Sequence, residues 1–426
     1  MPVPMTAPAR RPWRSLWKKL LVFLTVFGPA TITAMADNDA GGVATYSVAG
    51  ATLGYPILFA LLWITLLLGL TQEMGMRLTL ITRKGLADLI RERFGVRAAL
   101  FIFGVLLIAN VGTLITELTA IETTCQMLRL PLAPLVVVAV VAFSFVFIVR
   151  GNYKLTQGLM LLTSLFYVVY IVSAVRANPD WGLALRNVFY PQGVAVTPQY
   201  LRDYLVIGLG VLGTTITPWG QFFISSFAYD KKIEQGKIGY AQLETYWGAF
   251  LTDFFSFFMI VATAATLFTH QIPLVSGEQA ALAIKPFAGE LAGTLFAVGI
   301  LNAGFMGLVI VSLSTAYAFA EFFGVAGSLN DSFKQSRTFY IIYAVQLALA
   351  LTLTLVVPVS LFQVALVTQI INALGLPFVF YYLIRLTSDR ALMGRHANSR
   401  LQTYVAVACT LLIVVAAVFT VAAALS

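Results

Sequence analysis

Residues 34–42 read "AMADNDAGG" and fall inside the first long apolar run of a 426-residue chain. Two carboxylates, Asp37 and Asp39, flank Asn38 and precede the pair Gly41-Gly42. Aspartate is a poor helix former, the glycine pair loosens the backbone, and an ionised carboxylate in mid-membrane is costly unless something compensates it. The stretch must therefore face a cavity, water or a cation, not lipid.

Composition places it in a membrane. Hydrophobic residues are 59% of the chain and charged ones 11%, against about 25% charged in a soluble domain; the mean hydropathy is +0.88. Continuous apolar stretches of about twenty residues exclude an outer-membrane barrel. They lie near 20–36 (continuing to 51), 55–80, 98–127, 131–149, 156–175, 203–229, 244–269, 289–320, 337–357, 360–387 and 401–425. The expected architecture is all-α and polytopic, with about eleven transmembrane helices.

Of the 27 basic residues, 22 precede the first helix or follow the second, fourth, sixth, eighth and tenth; Arg129, Arg176, Arg186, Arg202 and Lys285 fall on the other side. This bias puts the N-terminus in the cytoplasm and, with an odd helix count, the C-terminus outside a cell membrane. The basic start followed by Ala34-Met35-Ala36 imitates a cleaved signal peptide. No soluble domain follows, so the stretch is read as retained. Residues 270–288 read as an external loop and 82–95 as a short amphipathic cytoplasmic helix. Cys125 and Cys409 form no CxxC pair and read as core fillers. No basic stripe beside aromatic residues calls for nucleic acid. Lipid is the surrounding partner, with no cofactor and no obligate protein partner implied.

A second interruption occupies the sixth segment, "GTTITPWGQ" at 213–221, where Pro218 removes a backbone donor between Gly213 and Gly220. The breaks lie five helices apart. Five is odd, so a tandem duplication inverts the second copy, and paired broken helices in inverted halves point to a secondary transporter's substrate site. Kinks serving only packing are the alternative. The expected division is a cytoplasmic segment 1–19, a first inverted repeat 20–175 (helices 1–5), an extracellular loop 176–202, a second repeat 203–387 (helices 6–10), and a cytoplasmic loop with helix 11 at 388–426.

"GPATITAMADNDAGGVATYSVAGATLGY" (28–55), "QEMGMRLTLITRKGLADLIRERFG" (72–95) and "TQIINALGLPF" (368–378) resemble segments of the natural-resistance-associated macrophage protein (NRAMP) family of divalent-metal transporters. The resemblance runs from residue 28 to about 390 and implies the leucine-transporter fold, with helices 1 and 6 broken. It places the family's metal-binding Asp on Asp39, its Asn on Gly42, its helix-6 backbone ligand on Thr214 and its methionine on Thr217. The histidine after the proline falls on Trp219 and a second helix-6 histidine on Ile224. The tenth-helix Gln falls on Gln369, and the helix-3 Asp-x-x-Glu on Leu114-x-x-Glu117.

These departures carry chemistry. Replacing a thioether by the Thr217 hydroxyl leaves oxygen ligands only, which suit Mg²⁺ and Mn²⁺. Gly42 in place of Asn is expected to open space for a hydrated ion. Asp37, and Asn372 one turn beyond Gln369, are expected to bind through water. The pattern is similar to that of the NRAMP-related magnesium transporters, so the first expectation is alternating-access import of Mg²⁺, and also Mn²⁺, without proton coupling. The alternative is a proton-coupled Mn²⁺/Fe²⁺ importer of the NRAMP type. His270 and His396, the only histidines, fall in loops.

Glu117 and Glu122 are candidates for an ion path or for pairing with Thr, Asn or backbone groups; Trp219 is a steric filler or a gate. Glu73, Asp253 and Glu321 read as structural hydrogen-bonding groups. An intramembrane hydrolase would need Asp37 and Asp39 as a dyad, but residues at i and i+2 do not face each other on a helix. No HExxH or GxSxG element supplies a partner. The chain is read as a transporter, not an enzyme.

Overall fold

A computed structural model describes residues 12–274, 290–357 and 359–425. Among these, ten helices are long and apolar enough to cross a membrane, and an eleventh span follows if the bent pair Lys19–Val26 and Pro29–Ala36 is one. The first span continues after a break as Ala40–Leu53. The second is Ile57–Thr82, the third Val96–Met127, the fourth Ala133–Arg150 and the fifth Tyr153–Arg176. The sixth is Pro198–Asp230, the seventh Gln235–Phe268, the eighth Glu290–Phe323, the ninth Arg337–Val356, the tenth Leu361–Ser388 and the eleventh Arg400–Leu425.

The spans divide into scaffold and rim. Within their apolar windows, 78% of the sixth and eighth spans is buried, against 17% of the fourth and 22% of the eleventh. The third span packs along the eighth and the seventh along the second; the seventh also covers both halves of the first. Spans three and eight, like two and seven, hold the same position in their respective five-helix halves. The inverted halves thus meet through matching elements, with the broken spans between them. The observed architecture is the expected five-plus-five arrangement.

Local chemistry places the breaks. Pro29 opens the first half-helix after Gly28, whose φ of 141° is closed to most side chains. The helix stops at Ala36 and restarts at Ala40, with Asp39 as N-cap accepting from the Gly42 amide at 2.7 Å. In the sixth span Thr217 is the N-cap, Pro218 sits at the first helical position, and Gly220 donates to the threonine hydroxyl at 3.0 Å. A polar cap followed three residues later by glycine thus recurs at corresponding places in the two halves.

Three boundaries differ from expectation. Gly41 and Gly42 are helical, so the first break spans only Asp37–Asp39. The sixth span begins at Pro198, not 203, because Thr197 caps it through Tyr200 N at 3.1 Å. The expected loop at 176–202 carries a helix, Trp181–Phe189, capped by Asp180. The amphipathic segment forms Leu86–Phe94. Most of the loop expected at 270–288 lies outside the described residues.

Candidate metal centre

The first break and the spans packed around it bring four carboxylates into the core. Asp37 is 0% exposed, Asp39 1%, Glu117 0% and Asp253 4%. Among the described residues no three His, Cys, Asp or Glu side chains gather into a metal-binding group. A cation here must also lean on amide, hydroxyl and backbone oxygens, the donor set of hard ions.

The two break carboxylates separate into two neighbourhoods. Asp37 turns to the sixth and second spans, receiving Thr217 Oγ1 at 3.1 Å and Gln72 Nε2 at 3.4 Å. Asp39 turns to the third, eighth and tenth. Glu117 caps the same helix start from outside, accepting from Ala40 N at 3.0 Å and Gly41 N at 3.3 Å. Gly307 on the eighth span leaves the room for this: a Cβ there would stand 2.7 Å from the Glu117 carboxyl carbon and 2.8 Å from Asp39 Cβ. Thr217 is therefore beside Asp37, not Asp39.

Gly42 does not open space as expected. A Cβ at that position would lie 2.6 Å from the Asp37 carbonyl oxygen and 3.1 Å from Thr214 Oγ1, so backbone already fills the place of the missing side chain. Thr214 contributes twice. Its hydroxyl has no hydrogen-bond partner among the described residues, and Pro218, four residues on, has no N–H to give its carbonyl. The hydroxyl borders the join between the two neighbourhoods, 3.1 Å from where a Gly42 Cβ would be.

Gln369 and Asn372 are arranged differently from expectation. The Gln369 Oε1 accepts from Asn372 Nδ2 at 2.6 Å, while Gln369 Nε2 and Asn372 Oδ1 have no partner among the described residues. The Gln369 Nε2 lies 2.6 Å from where a Gly41 Cβ would be, so the amide nitrogen faces the helix start beside Asp39. Rotating both amides by half a turn keeps one bond between them, now from Gln369 Nε2 to Asn372 Oδ1, and presents Gln369 Oε1 to the Asp39 side in exchange for the Asn372 bond to Thr113. Gly213 permits the tenth span's approach, since a Cβ there would overlap the Gln369 carbonyl oxygen. Asn372 is held by Gln369 and Thr113.

Trp219 is fully buried, its indole N–H without partner among the described residues and its carbonyl accepting from Ser314. It offers a donor and no cation ligand. Ile224 and Leu114, at the other departures, are buried apolar groups. Glu73 pairs with Arg77 at 2.7 Å, and Glu321 accepts from Ser226 at 2.6 Å, both structural as expected. Asp253 departs from that expectation, because neither of its oxygens has a partner among the described residues. Sequence reasoning undervalued Asp253, whose only signal was a lone carboxylate in an aromatic run. It missed Gly307 and Gln72, which carried no signal of their own.

A family model described as natural resistance-associated macrophage protein-like matches residues 30–423. A divalent metal cation transporter MntH of Ralstonia nicotianae is 27% identical over 418 residues, covering 92% of this chain and 88% of that protein. MntH of Aeromonas hydrophila is 25% identical over 391 residues, covering 88% and 90%. Among solved structures, a single-residue mutant of an Eremococcus coleocola manganese transporter superposes with a TM-score of 0.75 at 20% identity, covering 98% of this chain and 88% of that one. A Na⁺-coupled sialic acid symporter does so at 0.58 and 13% identity, covering 93% and 89%. At these identities the structural likeness speaks for the fold.

Proposed function

The chain belongs to the natural resistance-associated macrophage protein-like family, and from that premise we propose that it imports divalent metal cations by alternating access, with Mn²⁺ as cargo. The observation that carries this reading is the meeting of the two helix breaks. Asp39, the Thr214 hydroxyl, the Asp37 carbonyl at Gly42 and the Gln369 amide border one buried region. Asp37 and Thr217 adjoin it. Carboxylate, carbonyl and amide oxygens suit Mn²⁺, and the relatives' names, divalent metal cation and manganese transporters, favour it over Mg²⁺. The cytoplasmic N-terminus and external C-terminus implied by the basic loops belong to this reading, making uptake inward.

Mg²⁺ is the second reading, favoured by one observation. Thr217 supplies a hydroxyl where the resemblance expects a thioether, which removes the soft ligand that would discriminate against hard ions. Uptake of Mn²⁺, Mg²⁺, Fe²⁺ and Ca²⁺ into proteoliposomes decides between them. Saturable Mn²⁺ uptake that excess Mg²⁺ barely inhibits supports the first, and the reverse competition supports the second. No divalent uptake at all would refute both.

A further inference from the structure

Asp253 lies on the seventh span beside the first break, and among the described residues no donor reaches either carboxylate oxygen. A bare carboxylate is among the most costly groups to keep in a low-dielectric interior. Its neighbours offer no relief. The hydroxyls of Thr65 and Ser256 are near enough to act on it as hydrogen-bonding groups, but at bonding geometry each gives its proton to another acceptor. Thr65 Oγ1 donates to the Leu61 carbonyl at 2.8 Å. Ser256 Oγ bonds Asn38 Oδ1 at 2.8 Å and the Thr252 carbonyl at 3.2 Å.

The same holds for Tyr46, which feels the charge of Asp253. Its hydroxyl meets Thr215 Oγ1 at 2.7 Å, and Thr215 itself donates to the Val211 carbonyl at 2.8 Å. The tyrosine proton must therefore point to Thr215. Thr252 Oγ1, one residue along the helix, has no partner among the described residues. Gln72, two turns from Thr65 on the second span, gives its amide nitrogen to Asp37 and leaves Oε1 unpaired there. The hydroxyls that stand against Asp253 thus turn oxygen lone pairs toward it.

Charge deepens the problem. Asp253 acts electrostatically on Asp37, and Asp37 and Glu117 each feel Asp39; among the described residues no Lys, Arg or His acts on any of the four carboxylates. Oxygen lone pairs around uncompensated charge are the coordination chemistry of a hard cation.

We infer that Asp253, with Thr65 and Ser256, forms a second site for a hard divalent cation, a staging position beside the Asp39 pocket. This rests on the reading of the cargo as a divalent ion. The test uses purified full-length protein titrated with Mn²⁺, with free ion read by electron paramagnetic resonance, and anomalous scattering from Mn²⁺-soaked crystals. Wild type is expected to bind two ions per chain, with peaks at Asp39 and Asp253. Asp253→Asn, nearly isosteric and checked by gel filtration, should lose one ion and the Asp253 peak alone. Asp39→Asn should lose the other. Thr65→Val removes a facing lone pair without touching charge, and should weaken only the second site, about tenfold. A single wild-type ion at Asp39, indifferent to Asp253→Asn and Thr65→Val, overturns the inference and leaves the transport reading standing. A single ion at Asp253 supports it and overturns the assignment of Asp39 instead.

Discussion

At Gly42 one hydrogen atom in place of a side chain decides how close two stretches of backbone come. The Asp37 carbonyl occupies the space that a Cβ would need, at 2.6 Å. Gly42→Asn, which restores the amide found in the family pattern, should therefore lower uptake by at least about tenfold instead of adding a ligand, because overpacking of a tight core costs about 1–3 kcal/mol. Proteoliposome flux checks it; a gain of Mn²⁺ uptake would mean that the breaks rearrange freely. Asp39→Ala should reduce flux to that of empty liposomes. If only Asp37→Ala does so, the ion sits in the Asp37–Thr217 neighbourhood. Thr217→Met exchanges an oxygen for a soft sulfur and removes a donor to Asp37. It should shift competition toward Cd²⁺ over Mg²⁺, measured as relative inhibition of Mn²⁺ uptake.

At the scale of the element, the first span behaves as three jointed rods. Its joint at Phe27-Gly28 bends by 54° and is held from both sides. Glu244 accepts from Gly28 N at 2.7 Å and Thr31 N at 3.0 Å, placing a carboxylate at a helix N-terminus. Lys231 donates to the Val26 carbonyl at 2.8 Å and to that of Phe27. Burial pushes the Lys231 ammonium down to about 8, with the Glu244 charge pulling the other way. Since the folded value lies below the ordinary one, burying the charged form costs stability below about pH 8. That cost fades as pH rises from there toward the ordinary lysine range. The same titration removes the charge that grips the two carbonyls. Hydrogen exchange of residues 29–36, corrected for intrinsic rate, should therefore quicken above about pH 8 in wild type. In Lys231→Met it should be fast already at about pH 7, where the wild-type ammonium is still charged. A pH-independent protection in both would show that Glu244 holds the joint alone.

For the whole molecule, energetics turn on whether charge crosses alone. Two charges moving through about 100 mV gain about 4.6 kcal/mol, roughly a 2,000-fold accumulation, so a potential suffices without a proton. The expectation of uncoupled transport rests on the buried apolar groups Trp219, Ile224 and Leu114 at the places where the family pattern has titratable ones. Internal pH recorded during Mn²⁺ uptake, at clamped potential, should stay flat. Metal-dependent acidification would instead establish the proton-coupled alternative.

Membrane residence, span count and the two breaks were legible in the chain because each follows from local composition. Apolar runs of about twenty residues must become helix in lipid, while Asp37, Asp39 and Pro218 interrupt that helix wherever it is placed. Their spacing by five helices foretold the inverted halves. Partnership was not legible. Which oxygen Thr217 faces, which end of the Gln369 amide meets the pocket, and that Asp253 stands among hydroxyls already donating elsewhere depend on how separate spans pack. Gly307 shows why: its importance is only the volume it leaves for Asp39 and Glu117, and a volume between helices belongs to no single segment of sequence.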